Sequence, residues 1–226
     1  MISSHELAAE VFDEERFTKK IMAGLSELRH GIHDGLFTAH MGEENWEIAH
    51  RVLMPAFGPL NIQNMFDEMH DIATQLVMKW ARQGPKQKIM VTDDFTRLTL
   101  DTIALCAMGT RFNSFYSEEM HPFVDAMVGM LKTAGDRSRR PGLVNNLPTT
   151  ENNKYWEDID YLRNLCKELV DTRKKNPTDK KDLLNALING RDPKTGKGMS
   201  YDSIIDNMIT FLIAGEYTSV KKLGLF

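Results

Sequence analysis

Along almost the whole chain, apolar residues recur at the spacing of helices. The clearest stretch is Asn61 to Gln83, where Met65, Met69, Ile72, Leu76 and Trp80 fall on one face. Similar patterns predict a capped helix over Ser3–Phe12, with Ser3 as N-cap and Glu6 closing a capping box. Arg16–Arg29 follows, with Ile21, Leu25 and Leu28 on one face, and Gly31 and Gly35 breaking it. Glu43–Met54 stops before Pro55, and Asp93–Met108 is apolar enough all round to be a buried central helix. His121–Thr133, Asn152–Lys175, Leu183–Ile188 and a last helix from about Ser200 complete the set. Lys88-Ile-Met-Val91 is the one credible strand, and Ala134–Thr150 and Gly190–Gly198 read as loops. The fold class is therefore mainly α, with at most one or two short strands and no repeat or interdomain linker.

At 226 residues the chain can bury a sizeable core. A net charge of −4 gives no reason to expect a nucleic-acid or anionic-membrane partner, and basic runs such as Arg137–Arg140 and Arg173–Lys175 read as solvated helix ends or loops. The two cysteines, Cys106 and Cys166, stand in unrelated apolar contexts. They read as small core residues in a reducing, cytoplasmic setting. No apolar run approaches the roughly 20 residues that a membrane span requires.

Two stretches carry chemistry. In Glu44-Asn-Trp-Glu-Ile-Ala-His50-Arg-Val-Leu-Met-Pro-Ala-Phe-Gly58, Trp46 and His50 lie four apart and stack on one helix face. Each offers an N–H donor, which suits an anionic carboxylate or phosphate. A packed Trp beside a solvated His accounts for the same pattern. In Asn207-Met-Ile-Thr-Phe-Leu-Ile-Ala-Gly-Glu-Tyr-Thr-Ser219, the bare Ala214–Gly215 step leaves room for something flat, and Thr218 returns to roughly the same face. Core packing with a surface threonine is the plainer account.

Taken together these segments resemble the cytochromes P450. Residues 45–58 look like the helix C segment of that family, and Phe211–Ser219 resembles the groove of its central helix I. Asp93–Tyr116 and Asp34–Thr38 are similar to the fatty-acid-hydroxylating branch with fused reductases, in the same order and at the same spacing. The resemblance implies an incomplete P450 fold spanning helices B to the start of I. It further implies that Trp46 and His50 hold haem propionates while Ala214 and Gly215 open the groove above the iron. Both pairs should then face a single porphyrin-shaped gap. Thr218 would hydrogen-bond dioxygen and help deliver protons. Phe37 would limit where a fatty chain is attacked. Leu25, Leu28 and Ile32 would line the substrate channel, though ordinary core packing serves these three equally well. A fatty-acid-like substrate is implied, with electrons from NADPH through the FAD and FMN of a reductase outside this chain.

Departures from the family pattern accompany the matches. Tyr217 stands where the family has an acid before the threonine, and Lys221 and Lys222 interrupt the expected apolar continuation. The ExxR pair and the Cys-bearing loop are missing, so no axial metal ligand is assigned within the chain. The resemblance thus implies a partial haem domain spanning 1–226, truncated at both ends and inactive alone, with a frameshift or intron read-through producing its final residues. Two other classes remain open. Glu47/His50 and Asp67/His70 are spaced as in di-iron carboxylate bundles. A non-enzymatic helical module binding a partner through exposed apolar surface is the second.

Overall fold

The computed structural model describes residues 2–13 and 15–223, with side chains up to residue 215. Among these residues there are eleven α-helices and no strand. They are α1 (His5–Val11), α2 (Gly24–Ile32), α3 (Glu44–Leu53), α4 (Pro59–Asn64), α5 (Phe66–Gln83) and α6 (Val91–Met108). The rest are α7 (Pro122–Arg137), α8 (Gly142–Asn145), α9 (Thr150–Lys175), α10 (Leu183–Asn189) and α11 (Tyr201–Leu223).

The core forms where α6, α7, α9 and α11 bury their apolar faces. Phe123, Met127 and Met130 of α7 meet Tyr155, Ile159 and Leu162 of α9, all essentially inaccessible to solvent. Burying such side chains contributes about 1.5–3 kcal/mol each, which is what holds the bundle together. Gly31 does not break α2 but sits inside it. A Cβ there would come within 3.0 Å of Met130 Sδ and 3.2 Å of Ile159 Cγ1, so the glycine sets how closely α2 approaches α7 and α9.

Several local expectations are corrected. Ser4, not Ser3, caps α1 by accepting from Leu7 N–H at 3.2 Å, which places Leu7 and not Glu6 at the third helical position. Residues 17–22 stay irregular because Ala23 has φ +43, a left-handed conformation that no right-handed helix continues through. Residues 61–83 are divided at Met65 into α4 and α5. Lys88–Val91 is not a strand: Ile89 and Met90 are exposed with no neighbouring strand to pair, and Val91 already begins α6. Trp80 Nε1 donates to Asp94 Oδ2 at 2.6 Å across this link, fastening α5 to α6 as a hairpin.

The stretch 134–150 is more structured than a solvated loop, and Arg137 explains why. Its side chain is buried, pairs with Glu27 Oε2 at 2.8 Å and donates to Asn145 O and Asn152 Oδ1. The guanidinium also lies 4.8 Å from the centre of the Tyr155 ring. A buried arginine is tolerated because every direction offers an acceptor or a ring face.

Candidate functional site

The helix α2 delivers Leu25, Leu28 and Ile32 to one face, and the chain then turns sharply at His33, where φ is +30. The loop that follows is pinned on three sides. Arg29 donates to Thr38 O at 2.6 Å and pairs with Glu43, whose carboxyl the guanidinium holds below its ordinary range. Lys19 Nζ donates to Leu36 O at 3.2 Å, and Asn45 Nδ2 donates to Asp34 Oδ2 at 2.7 Å. On the inner side, Leu36 N–H donates to Asn207 Oδ1 of α11 at 2.9 Å.

These ties place Phe37 over a cavity of ≈ 440 Å³ between α2, α7 and α11. Leu25, Leu28, Ile32, Phe37 and Ala214 line it, with Leu131, Thr210 and Ile213. Thr210 is its single hydroxyl among the described residues, and that hydroxyl already donates to Asp206 O at 2.7 Å. The chamber therefore presents hydrocarbon to whatever enters.

Gly215 faces elsewhere. It lies on a second apolar cleft of ≈ 410 Å³, walled by α4, α5 and α6 and containing Met65, Met69, Ile103 and Cys106. A Cβ on Gly215 would come 3.1 Å from Ile103 Cγ1, so the bare face serves the close approach of α6. Successive residues of a helix point about 100° apart, which is why Ala214 and Gly215 serve different spaces. Trp46 and His50 line neither cleft. The expectation of one gap shared by the two pairs is thus not met by the described residues. Thr218 lies beyond the described side chains.

Trp46 and His50 do present a joint surface. Their rings stack 4.9 Å apart at 15°, with Trp46 half-buried and His50 exposed. Lys19 Nζ lies 5.8 Å from the centre of the Trp46 ring, and burial lowers its pKa. Among the described residues neither ring is hydrogen-bonded, so two donors and a nearby ammonium stand ready for an anionic edge. That donor set fits haem propionates. The thiols do not fit the opposite role: burial pushes both Cys106 and Cys166 up to about 12, the reverse of what a thiolate ligand requires. The residues of this chain therefore suit the propionate edge of haem and not its axial ligand.

The di-iron alternative is also corrected. Among the described residues no group of three or more His, Cys, Asp or Glu converges to hold a metal. His70 stacks on Phe66, and Glu47 is paired with Arg51. No helix among the described residues is long and apolar enough to cross a membrane.

A buried polar cluster escaped the sequence reading. Asp206 accepts from Arg163 and lies 3.1 Å from His33 Nδ1, while Asn207 is wholly inaccessible. Burial raises the pKa of Asp206, and the Arg163 guanidinium opposes that rise. The signal was an Asp-Asn pair in an otherwise apolar helix, since buried polar groups must find partners.

The chain matches the family model described as cytochrome P450. That model matches residues 1–223, and the chain belongs to the cytochrome P450 family. It is 99% identical over 224 residues to a bifunctional cytochrome P450/NADPH–P450 reductase of Aspergillus oryzae, covering 99% of this chain and 20% of that protein. It is 57% identical over 223 residues to a self-sufficient cytochrome P450 monooxygenase of Exserohilum turcicum, covering 99% of this chain and 21% of that one. A bifunctional cytochrome P450/NADPH–P450 reductase of Fusarium oxysporum is 53% identical over 224 residues, with 99% and 21% covered. The chain spans about a fifth of the length of these curated relatives.

Proposed function

We propose that this chain forms the substrate-side part of a haem monooxygenase acting on fatty-acid-like molecules. The observation that carries this reading is the ≈ 440 Å³ chamber in which Leu25, Leu28, Ile32 and Phe37 meet Ala214 of α11. No cationic side chain lines the chamber among the described residues, so it suits the alkyl part of a substrate. Phe37, set at its edge, would restrict which carbons approach. Trp46, His50 and Lys19 would hold the carboxylate edge of haem through donors aimed to one side. Thr218 would hold and pass a proton. Haem, when bound, supplies the redox chemistry that inserts one oxygen atom of dioxygen into a C–H bond. Electrons would come from NADPH through a reductase, as the names of the Aspergillus oryzae and Fusarium oxysporum relatives suggest, with FAD and FMN as its carriers.

The chain by itself is proposed to be inactive, since both of its thiols are buried and held protonated. Exposed Phe57, Leu60 and Phe66 favour a role for the isolated chain as a half that associates through apolar surface. Reconstitution with haem, followed by the spectrum of the reduced CO complex, tests this. The expected result is haem uptake without a thiolate-type CO band. A thiolate-type band would show that one of the two thiols ligates iron after all.

A further inference from the structure

We propose that Asn207 is a positioning residue for Phe37 and, through it, helps set where along an alkyl substrate the protein acts. This rests on reading the α2–α11 chamber as the substrate chamber. Asn207 is wholly inaccessible, so both ends of its amide need partners. Its Nδ2 donates to Ser203 O at 2.8 Å, one turn back along α11. That bond fixes which way the amide faces and leaves Oδ1 to accept from Leu36 N–H at 2.9 Å. Leu36 is the residue immediately before Phe37.

The loop can reach Asn207 only because it lies flat on α11. At Gly35 a Cβ would come 3.0 Å from Thr210 Oγ1 and 3.3 Å from Asp206 O. At the near end of the loop, His33 Nδ1 lies 3.1 Å from Asp206 Oδ1, and Thr38 Oγ1 donates to His33 O at 2.8 Å. Phe37 is 55% exposed, so surrounding side chains leave much of its ring free. Its position is set instead by the backbone on either side. Of those backbone ties, the one from Asn207 comes from the helix that also carries Ala214 across the chamber, two turns further along. Without it the loop is free to lift from α11, and the wall that Phe37 forms retreats.

Two readouts test the proposal in the full-length, haem-loaded protein. Amide exchange comes first: in Asn207→Leu the Leu36 amide should exchange roughly tenfold faster while the amides of α11 keep their protection. Oxidation of dodecanoate comes second. The ratio of product positions should shift in the direction seen for Phe37→Ala, with total turnover changed by less than about threefold. An unchanged Leu36 amide would remove the anchor. Faster exchange with an unaltered product ratio, while Phe37→Ala alters it, would remove the positioning role. Products unaltered in Phe37→Ala itself would overturn the reading of the chamber, and the role with it, while the exchange data still report the anchor. Should Asn207→Leu lose protection throughout, Gly35→Ala takes its place, and the same pair of outcomes decides.

Discussion

The two apolar clefts beside α11 are alike in size, ≈ 440 and ≈ 410 Å³, and unlike in construction. The first is closed by a loop whose backbone is hydrogen-bonded to Arg29, Lys19 and Asn207. The second is walled by Met65, Met69 and Ile62, with the weak Cys106 Sγ contact to Met65 O at 3.9 Å as a polar tie across it. Unbranched methionine side chains adapt to what they meet, whereas a pinned backbone does not. Discrimination along a chain therefore suits the first cleft, and accommodation suits the second.

The largest effect should come from beneath the second cleft. Arg173 forms a two-pronged pair with Asp182, at 2.9 and 2.8 Å, and also donates to Met108 O; Leu183, the next residue, lines the cleft. Arg173→Ala strands a buried carboxylate and should cost about 3–5 kcal/mol in urea denaturation. A loss below about 1 kcal/mol would mean that this wall stands without the pair.

A smaller, pH-dependent effect should distinguish the first cleft. Burial raises the pKa of Asp206 in the folded protein, so folding takes up a proton there. Its contribution is fully present below the ordinary aspartate range, about pH 4, and is lost as pH rises through the raised value. Asp192 behaves oppositely: its bonds from Arg51 depress its pKa, so its contribution is present above that range and lost on acidification. The stability difference between the protein and Asp206→Asn should therefore shrink as pH rises from about 4. A difference that grows would reverse the assignment.

The smallest effect should be Gly215→Ala. Alanine gains about 1 kcal/mol of helix propensity over glycine, offset as Ile103 yields a few tenths of an ångström. Stability should stay within about 1 kcal/mol, and laurate binding in the first cleft should be unaltered. Weakened binding would show that the two clefts communicate.

Helix periodicity made most of the bundle readable, because an amphipathic face is written in neighbouring residues. The long buried helix at 91–108 and the placing of Leu25 and Leu28 on one face follow from such patterns, whereas Ile32 came only from the family resemblance. What stayed hidden depends on distant partners. Arg137 looks like part of a solvated basic run until Glu27, Asn145 and Asn152 surround it. Asp206 and Asn207 look like interruptions until residues 33 and 36 arrive from the other end of the chain. The turn at Ala23 is written in no local composition, since alanine favours the helix that its φ of +43 denies. Likewise, the adjacency of Ala214 and Gly215 gave no hint that a helix would show them to separate spaces.

The Arg137 hub also dictates an order of events during synthesis. Glu27 receives Arg137 Nε, and its carbonyl receives the Tyr155 hydroxyl at 2.7 Å. A ribosome must therefore release the chain past Tyr155 before α2 finds its lasting neighbours. Until then the early segment, with its greasy stripe uncovered, depends on chaperones or on speed.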